Sequence, residues 1–312
     1  MKTMSETIVF FGSGPVAAKS LELLAQNFSI EAVITKPQPP HHKEPFPVLV
    51  VTEKLGIKTL TPNSKAELSE VFNSKPVQSR LGVVIDYGFI INQDVIDYFP
   101  LGIINSHFSL LPEWRGADPI SFALLSGQKQ TGVSLMLITA GMDEGPLLSQ
   151  TPFDISENLT TPELTEALID VSNQSLKTIL PLYVPGEVLA APQESTTIAR
   201  SKEPTYSRKL TKADGLIDWC KTAEQIEREI RAFIEWPKSR TTLAGKEVIL
   251  IRAYVVPCTD PEAKPGDVSV VPKANAMAVA TGNGSLRIEC LKPVGKREMS
   301  TREFLAGHRH LL

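Results

Sequence analysis

Residues 7–26, TIVFFGSGPVAAKSLELLAQ, decide the fold. Thr7 to Phe11 is a short apolar run typical of a buried strand, and the glycines after it are typical of a tight turn. From Pro15 to Gln26, apolar residues return at helical spacing, so a helix is predicted directly after the turn. A strand, a turn and a helix in this order begin a doubly wound α/β domain.

The same alternation continues through the first half of the chain and predicts a mostly parallel sheet covered by helices. Further strands are predicted at Ala32 to Thr35, Leu81 to Ile85, Ile103 to Asn105, Val133 to Ile138 and Leu147 to Gln150. A second helix is predicted from Thr161 to Leu180, because Pro162 suits a first helical position and Pro181 is expected to end it.

Residues 188–205 lose this periodicity and are rich in Ala, Ser, Thr and Pro, so we predict an interdomain linker there. Residues 1–187 then form one domain and residues 206–312 a smaller one. In the latter, Thr222 and Gln225 form a capping box before an amphipathic helix that Pro237 is expected to end. Strands are predicted at Glu247 to Tyr254, Val268 to Val271, Met277 to Ala280 and Ser285 to Cys290, with a hairpin at Gly282-Asn-Gly284. The pattern predicts a small barrel with one helix.

Charge differs between the two parts. Residues 1–199 hold 12 Lys and Arg against 21 Asp and Glu, whereas residues 200–312 hold 20 against 14. The basic C-terminal part favours a polyanionic partner, although a merely solvated surface explains the charge alone equally well. The isolated Cys220, Cys258 and Cys290 indicate reduced thiols in a cytoplasmic protein without a metal site. No stretch approaches the ~20 apolar residues of a membrane span, and we expect no cleaved leader.

The turn Gly12-Ser-Gly14-Pro-Val-Ala17 matches a dinucleotide fingerprint superficially. The second predicted strand, however, is followed by Lys36 and not by the acidic residue that holds the ribose of NAD. We therefore expect no nicotinamide cofactor and interpret the glycines as a tight turn or as a nest for another anion.

Three segments that follow predicted strands hold the candidate site. They are DYGFIIN (86–92), INSHFSLLPEWRGADPI (104–120) and ITAGMDEGPL (138–147). Because ligands bind outside the carboxyl ends of strands in open sheets, all three segments are expected at one edge. Asn105 and His107 are two residues apart, so an extended strand points both to one side, and Asp143 is expected to join them.

These residue types suit acyl transfer to an amine. An Asn amide can stabilise the developing oxyanion, His107 can take the amine proton or donate to the oxyanion, and Asp143 can orient the imidazole. No covalent intermediate is required, since an amine is already nucleophilic. Individually, Asn105 could cap a loop, a lone His is usually structural, and a glycine-flanked Asp is typical of a turn. Only the combination supports catalysis.

The combination also resembles a known family. Asn105-Ser-His107, Ser109-Leu-Leu-Pro112, Trp114-Arg-Gly-Ala117 with Pro119, and Gly141-Met-Asp143 resemble the signature of 10-formyltetrahydrofolate-dependent formyltransferases. Towards the C-terminus, the chain resembles the methionyl-tRNA formyltransferases of that superfamily in YSRKL (206–210), IDW (217–219), IRAF (230–233), WP (236–237), PVGK (293–296) and MS (299–300). The resemblance covers nearly the whole chain.

The resemblance implies a Rossmann-like catalytic domain, a linker and an OB-like barrel that helps to bind tRNA. It implies formyl transfer from 10-formyltetrahydrofolate to initiator methionyl-tRNA for translation initiation. We also expect a cytoplasmic monomer without metal. Asn105, His107 and Asp143 match the family's catalytic residues. The residues matched to folate binding are Ser109, Leu110, Leu111, Pro112, Tyr87, Gly88, Phe89, Ile90, Thr139 and Gly141.

Some positions depart from the family. The loop at 36–47, which usually carries many basic residues that enter the tRNA acceptor stem, has only Lys36 and Lys43 here. Phe108 and Asp118 stand where small residues are common. The weak loop favours a rival acceptor, such as an amino sugar nucleotide or glycinamide ribonucleotide, whereas the matching C-terminal part opposes it. A nonenzymatic RNA-binding protein is the other alternative, and the intact catalytic residues argue against it.

Overall fold

The computed structural model describes residues 7–38, 44–198, 203–258, 260–271 and 276–308. The chain forms two compact units: Met1–Pro119 with Gln130–Asp154 and Thr165–Ser207, and Ile120–Lys129 with Ile155–Leu164 and Arg208–Leu312. Among the described residues, no helix has both the length and the apolar composition that a membrane span requires.

The helices begin at recognisable signals. They are α1 Pro15–Leu24, α2 Pro47–Leu55, α3 Lys65–Asn73, α4 Gln93–Asp97, α5 Pro119–Ser126, α6 Thr161–Tyr183, α7 Ala223–Ala232 and α8 Thr301–His308. Proline occupies the first turn of α1 and α2, where a missing N–H costs no hydrogen bond. Ser64 caps α3 by accepting from the Glu67 N–H.

Helix α6 corrects one prediction. It was expected to end at Pro181, but it continues through this proline to Tyr183. A proline so close to the end removes one backbone hydrogen bond from the last turn only, and the N–H of Val184 still donates to the Leu180 carbonyl at 3.1 Å.

The strands form two main sheets and one separate two-stranded pair. They are β1 Thr7–Phe11, β2 Ser29–Ile34, β3 Lys58–Leu60, β4 Gly82–Val84, β5 Ile103–His107, β6 Arg115–Gly116, β7 Gln130–Leu137, β8 Leu147–Asp154, β9 Tyr206–Ser207, β10 Ser239–Leu243, β11 Lys246–Val256, β12 Val268–Val271, β13 Ala276–Ala280, β14 Ser285–Pro293 and β15 Met299–Ser300. In the first unit the strand order is β3-β2-β1-β4-β5-β7-β8. Strands β1 to β5 are mutually parallel, whereas β7 and β8 are antiparallel additions at one edge. The predicted doubly wound, mostly parallel sheet is confirmed.

An aromatic cluster anchors the carboxyl ends of β1 and β4. The ring of Phe11 lies 6.0 Å from that of Phe72 and 5.9 Å from that of Phe99, measured between centroids. Tyr87, just beyond β4, packs its ring edge-on at 5.7 Å from Phe11. All four side chains are buried, so the cluster fixes the point at which the 86–92 segment leaves the sheet.

In the second unit, an antiparallel sheet curls around its core in the order β10-β11-β14-β13-β12, with β15 paired to β14. Between the described parts of β10 and β12 no pairing closes the sheet, so the predicted OB-like barrel takes the form of a half-barrel. The expected capping box is present: the Thr222 hydroxyl accepts from the Gln225 N–H, and the Gln225 side chain accepts from the Thr222 N–H. The predicted hairpin joins β13 to β14.

Candidate active site

Strand β5 carries two of the predicted catalytic side chains. It lies between β4 and β7, with Val84 opposite Asn105 on one side and Met136 opposite Asn105 on the other. Ser106 points towards α6, where its hydroxyl lies 2.6 Å from that of Ser172. Because side chains alternate along a strand, Asn105 and His107 share the opposite face, as predicted.

Asp143 reaches this face by a route that the sequence did not predict. Strand β7 is antiparallel to β5, with Leu137 opposite Ile104, so the 138–146 loop begins beside the start of β5 and not beside its carboxyl end. The N–H of Ile138 accordingly donates to the Ile103 carbonyl at 2.8 Å. The premise that all three segments leave at one edge was therefore wrong. The loop nevertheless folds back over the strand, so that Asp143 contacts Asn105.

Both carboxylate oxygens of Asp143 are engaged. Oδ1 accepts a hydrogen bond from Nδ2 of Asn105 at 3.2 Å, and Oδ2 accepts one from the N–H of Gly116 at 2.8 Å. Nδ1 of His107 lies 3.7 Å from Oδ2, which is longer than an ordinary hydrogen bond and makes this contact mainly electrostatic. The structure thus brings the three predicted side chains together.

The imidazole of His107 is held from its other side. Its Nε2 lies 2.9 Å from the backbone carbonyl oxygen of Trp114, and the residue is buried. A carbonyl can only accept, so it selects the form that carries a proton on Nε2. In neutral His107, the basic lone pair is then on Nδ1, facing Asp143.

Backbone geometry at this site is unusual. Asp143 has φ 50° and Trp114 has φ 57°, both in the left-handed region that residues other than glycine rarely occupy. Such a conformation persists only where surrounding contacts hold it, and the hydrogen bonds to the Asp143 carboxylate are contacts of this kind.

The predicted folate segment 109–112 packs into the first unit. Ser109, Leu110 and Leu111 are at most 1% exposed. The Ser109 hydroxyl donates to the Glu113 carbonyl at 2.5 Å, and the Ser134 hydroxyl donates to the Ser109 carbonyl at 2.7 Å. These contacts shape the turn that carries Trp114. Binding of folate by the segment, Pro112 included, stays a prediction.

The other predicted folate residues differ in exposure. Tyr87 is buried, which raises the pKa of its hydroxyl, and Phe89 is half-buried with the Lys36 ammonium 4.5 Å from its ring centroid. Ile90 is 73% exposed. Thr139 and Gly141 are exposed in the loop before Asp143, and Gly88 has φ 73°. Two loops beside the predicted catalytic side chains therefore have exposed surface, while Tyr87 anchors the first of them.

Asp86 is an acidic neighbour that the sequence analysis did not single out. Its carboxylate lies against the Gly12–Gly14 turn, where a Cβ on Gly14 would be 1.9 Å from Oδ2, and it accepts from the Ala17 N–H in the first turn of α1. Desolvation and the nearby Asp118 raise the pKa of Asp86 to about 6, against the opposing effect of Lys36. A carboxylate thus lies directly against the Gly12–Gly14 turn.

A residue outside the predicted set also touches the site. Gln193 donates from Nε2 to the Asp143 carbonyl at 2.8 Å and accepts from the Arg115 guanidinium. Sequence reasoning missed it because it lies in the segment without periodicity. The only available signal was an amide side chain within an otherwise featureless stretch.

Both parts of the chain match known families. Residues 6–180 match the family described as Formyl transferase, and residues 209–309 match Formyl transferase, C-terminal domain. The methionyl-tRNA formyltransferase of Roseiflexus castenholzii is 35% identical over 98% of this chain and 97% of its own length. That of Chloroflexus aggregans is 35% identical over 96% of each.

Solved structures share the fold. The N-formyltransferase of Helicobacter canadensis, solved with folinic acid and dTDP-3-aminofucose, superposes with a TM-score of 0.67 at 18% identity over 95% of this chain and all of the other. HypX of Aquifex aeolicus, solved with tetrahydrofolic acid, gives 0.62 at 16% identity over 98% of this chain and 48% of HypX. The matches to the two family domains and to full-length relatives show that the chain belongs to the formyl transferase family.

Proposed function

We propose that this enzyme transfers the formyl group of 10-formyltetrahydrofolate to the α-amino group of methionyl-tRNA. The observation that carries the proposal is the convergence of Asn105, His107 and Asp143 at β5, in a chain that aligns along nearly its whole length with methionyl-tRNA formyltransferases. An amide, an imidazole and a carboxylate can supply the oxyanion stabilisation and the proton transfer of acyl transfer to an amine.

Asn105 is proposed to stabilise the oxyanion. When the amine nitrogen attacks the formyl carbon, the carbonyl π electrons move to oxygen and a tetrahedral centre forms. One N–H of the Asn105 side chain is used by Asp143, but a primary amide has two, so the second can donate to that oxygen. Collapse of the centre then breaks the bond to N10 of the folate, which leaves as the amine of tetrahydrofolate.

His107 is proposed to take the proton that the attacking nitrogen loses. With Nε2–H directed at the Trp114 carbonyl, the lone pair on Nδ1 is the base. The imidazolium so formed has Asp143 Oδ2 beside it, 3.7 Å from the newly protonated nitrogen. The same imidazolium can return the proton to N10 as the folate leaves. The donor folate is proposed to lie against the 87–90 and 139–144 loops.

The tRNA is proposed to contact the C-terminal part. We assign catalysis to residues 1–187, a linker to 188–205 and tRNA binding to 206–312, because the latter part holds most of the positive charge. Methionyl-tRNA is the proposed acceptor, since relatives over nearly the full length carry the name methionyl-tRNA formyltransferase. The initiator tRNA is proposed from the family resemblance.

One observation keeps an amino sugar nucleotide as a second candidate acceptor. The 36–47 loop has two lysines: Lys36 lies over the Phe89 ring, and Lys43 lies outside the described residues. A loop with so little positive charge gives weak attraction for an acceptor stem.

An acceptor panel tests the proposal. The purified protein is incubated with formyl-labelled 10-formyltetrahydrofolate and methionyl-tRNA, uncharged tRNA or a dTDP-amino sugar, and the labelled product is identified. We expect label on methionyl-tRNA alone, strongly reduced by Asn105→Ala. Label on the sugar, with none on methionyl-tRNA, would replace the proposed acceptor. Absence of label on every acceptor would contradict the proposal.

A further inference from the structure

Gln193 stands out within its segment. It begins a 3-10 turn, Gln193–Ser195, and is only 2% exposed, whereas Ala191, Pro192, Glu194 and Ser195 around it are exposed. An amide side chain that is buried from an otherwise exposed segment must form hydrogen bonds with other buried groups of the protein. The contacts of this side chain therefore explain its position.

Every hydrogen-bonding position of the Gln193 amide is occupied. Nε2 donates to the carbonyls of Asp143 and Gly145, at 2.8 and 3.0 Å. Oε1 accepts from Nη2 and Nε of Arg115, at 2.7 and 3.3 Å. A glutamine side chain can donate two hydrogen bonds and accept two, so its full capacity is used here. The contacts at this position therefore match a glutamine side chain specifically.

The segment that carries Gln193 is itself fixed. Ala191 and Leu147 exchange two backbone hydrogen bonds, at 2.7 and 2.8 Å, which attach the segment to the first residue of β8. Arg115 is buried and also contacts Glu144, with Nη1 3.4 Å from Oε1. The loop from Asp143 to Gly145 is therefore held from both sides by one glutamine–arginine pair.

We propose that Gln193 is a positioning residue that holds the Asp143 carboxylate in its working place. The proposal rests on the proposed function, because it presumes that Asp143 acts in formyl transfer. Asp143 has a left-handed backbone at φ 50°, and its backbone carbonyl accepts a hydrogen bond from Gln193. Without that hydrogen bond, the loop can relax, and the carboxylate moves away from His107.

Two substitutions separate the donors of Gln193 from its acceptor. Gln193→Leu removes both functions, whereas Gln193→Glu keeps an acceptor for Arg115 but turns a carboxylate oxygen towards the carbonyls of Asp143 and Gly145. We expect both to lower kcat about 10²-fold, the loss typical of a small misplacement of a catalytic group, with the KM for methionyl-tRNA unchanged. Gln128→Leu, which removes another buried glutamine in the second unit, is the control and should keep the wild-type kcat.

A double-mutant cycle gives the readout that simple loss of stability does not produce. In the wild type, Gln193→Leu should lower kcat strongly. In the Asp143→Asn background the carboxylate is already absent, so the same substitution should lower kcat little further. Thermal melts check that each variant is folded. Full additivity in the cycle would contradict the proposal.

The outcomes distinguish this inference from the proposed function. Wild-type kcat in both Gln193 variants, alongside a slow Asp143→Asn, would overturn the role of Gln193 alone. An Asp143→Asn variant as fast as the wild type would overturn the catalytic assignment and this inference with it. If Gln193→Leu fails to fold, Gln193→Glu carries the test, because it retains the contact with Arg115.

Discussion

The backbone N–H of Gly116 donates to Oδ2 of Asp143 at 2.8 Å, while Oδ1 accepts from Asn105. A hydrogen-bond acceptor is therefore required at both oxygen positions of this side chain. In Asp143→Asn the amide must turn its NH₂ towards one of these two donors. We expect kcat for formyl transfer to fall by roughly 10²- to 10⁴-fold, as for lost acid–base catalysis, in a protein that still melts cooperatively. Asp143→Asn with wild-type turnover would remove the carboxylate from the mechanism.

His107→Ala should lower turnover by a similar factor, roughly 10²- to 10⁴-fold, because it removes the proposed base. The buried ring leaves a cavity next to the Trp114 carbonyl, so added imidazole should restore part of the rate. Steady-state formylation with and without imidazole, at constant pH, is the measurement. Turnover that is unaffected by the substitution would show that His107 is structural.

Asp86→Asn should make the protein more stable above about pH 6, but not near pH 4. The folded carboxyl has a pKa raised from 3.8 to about 6, so the folded state holds its proton longer than the unfolded state does. Stability of the wild type is therefore lost as the pH rises through this window, and asparagine avoids that loss. Thermal melts at both pH values test it, with Asp170→Asn on α6 as the control. An equal shift in melting temperature at both pH values would be inconsistent with this account.

Thr222→Ala should lower the free energy of unfolding by about 1 kcal/mol, because it removes the side chain that caps α7. Thr222→Ser keeps the hydroxyl and should be nearly neutral. Urea titrations of both variants measure the difference. The capping assignment fails if the alanine and serine variants are equally stable.

Affinity for methionyl-tRNA should fall steeply with salt, because residues 200–312 carry 20 Lys and Arg against 14 Asp and Glu. If six or more phosphates are contacted, the loss between about 50 and 200 mM salt is roughly 10³-fold or more. Filter binding across a salt series measures the slope, with a charge-neutralised variant of the C-terminal part as the comparison. A flat response would instead favour a small acceptor.

Local patterns predicted much of this fold. The run of apolar residues at Thr7–Phe11 and the capping box at Thr222 were visible because they depend on neighbouring residues alone. The direction of β7 was not visible, since apolar periodicity does not distinguish a parallel from an antiparallel partner. Short β3 was missed for a related reason: its three residues, Lys58–Leu60, include no buried side chain.

The three catalytic residues were predicted from spacing, residue type and the family resemblance, and the folate residues from the resemblance alone. Asn105 and His107 share a face because they are two apart on a strand, which sequence reveals directly. The roles of Gln193 and Gly116 depend on tertiary hydrogen bonds to Asp143, which no local pattern encodes. Asp86 was not singled out for a similar reason: its pKa is raised by desolvation and by Asp118, and neither effect can be read from the neighbouring residues.

The left-handed backbone at Asp143 bears on any attempt to make this enzyme thermostable. Non-glycine residues in that region cost roughly 1–3 kcal/mol each, so glycine substitutions there are natural targets for engineering. Lys75 and Ala244, at φ 51° and 49°, are not among the candidate site residues and can be changed on this principle. At Asp143 the same substitution would relax the chain and delete the carboxylate together, so a screen that rewards heat resistance alone would select against turnover.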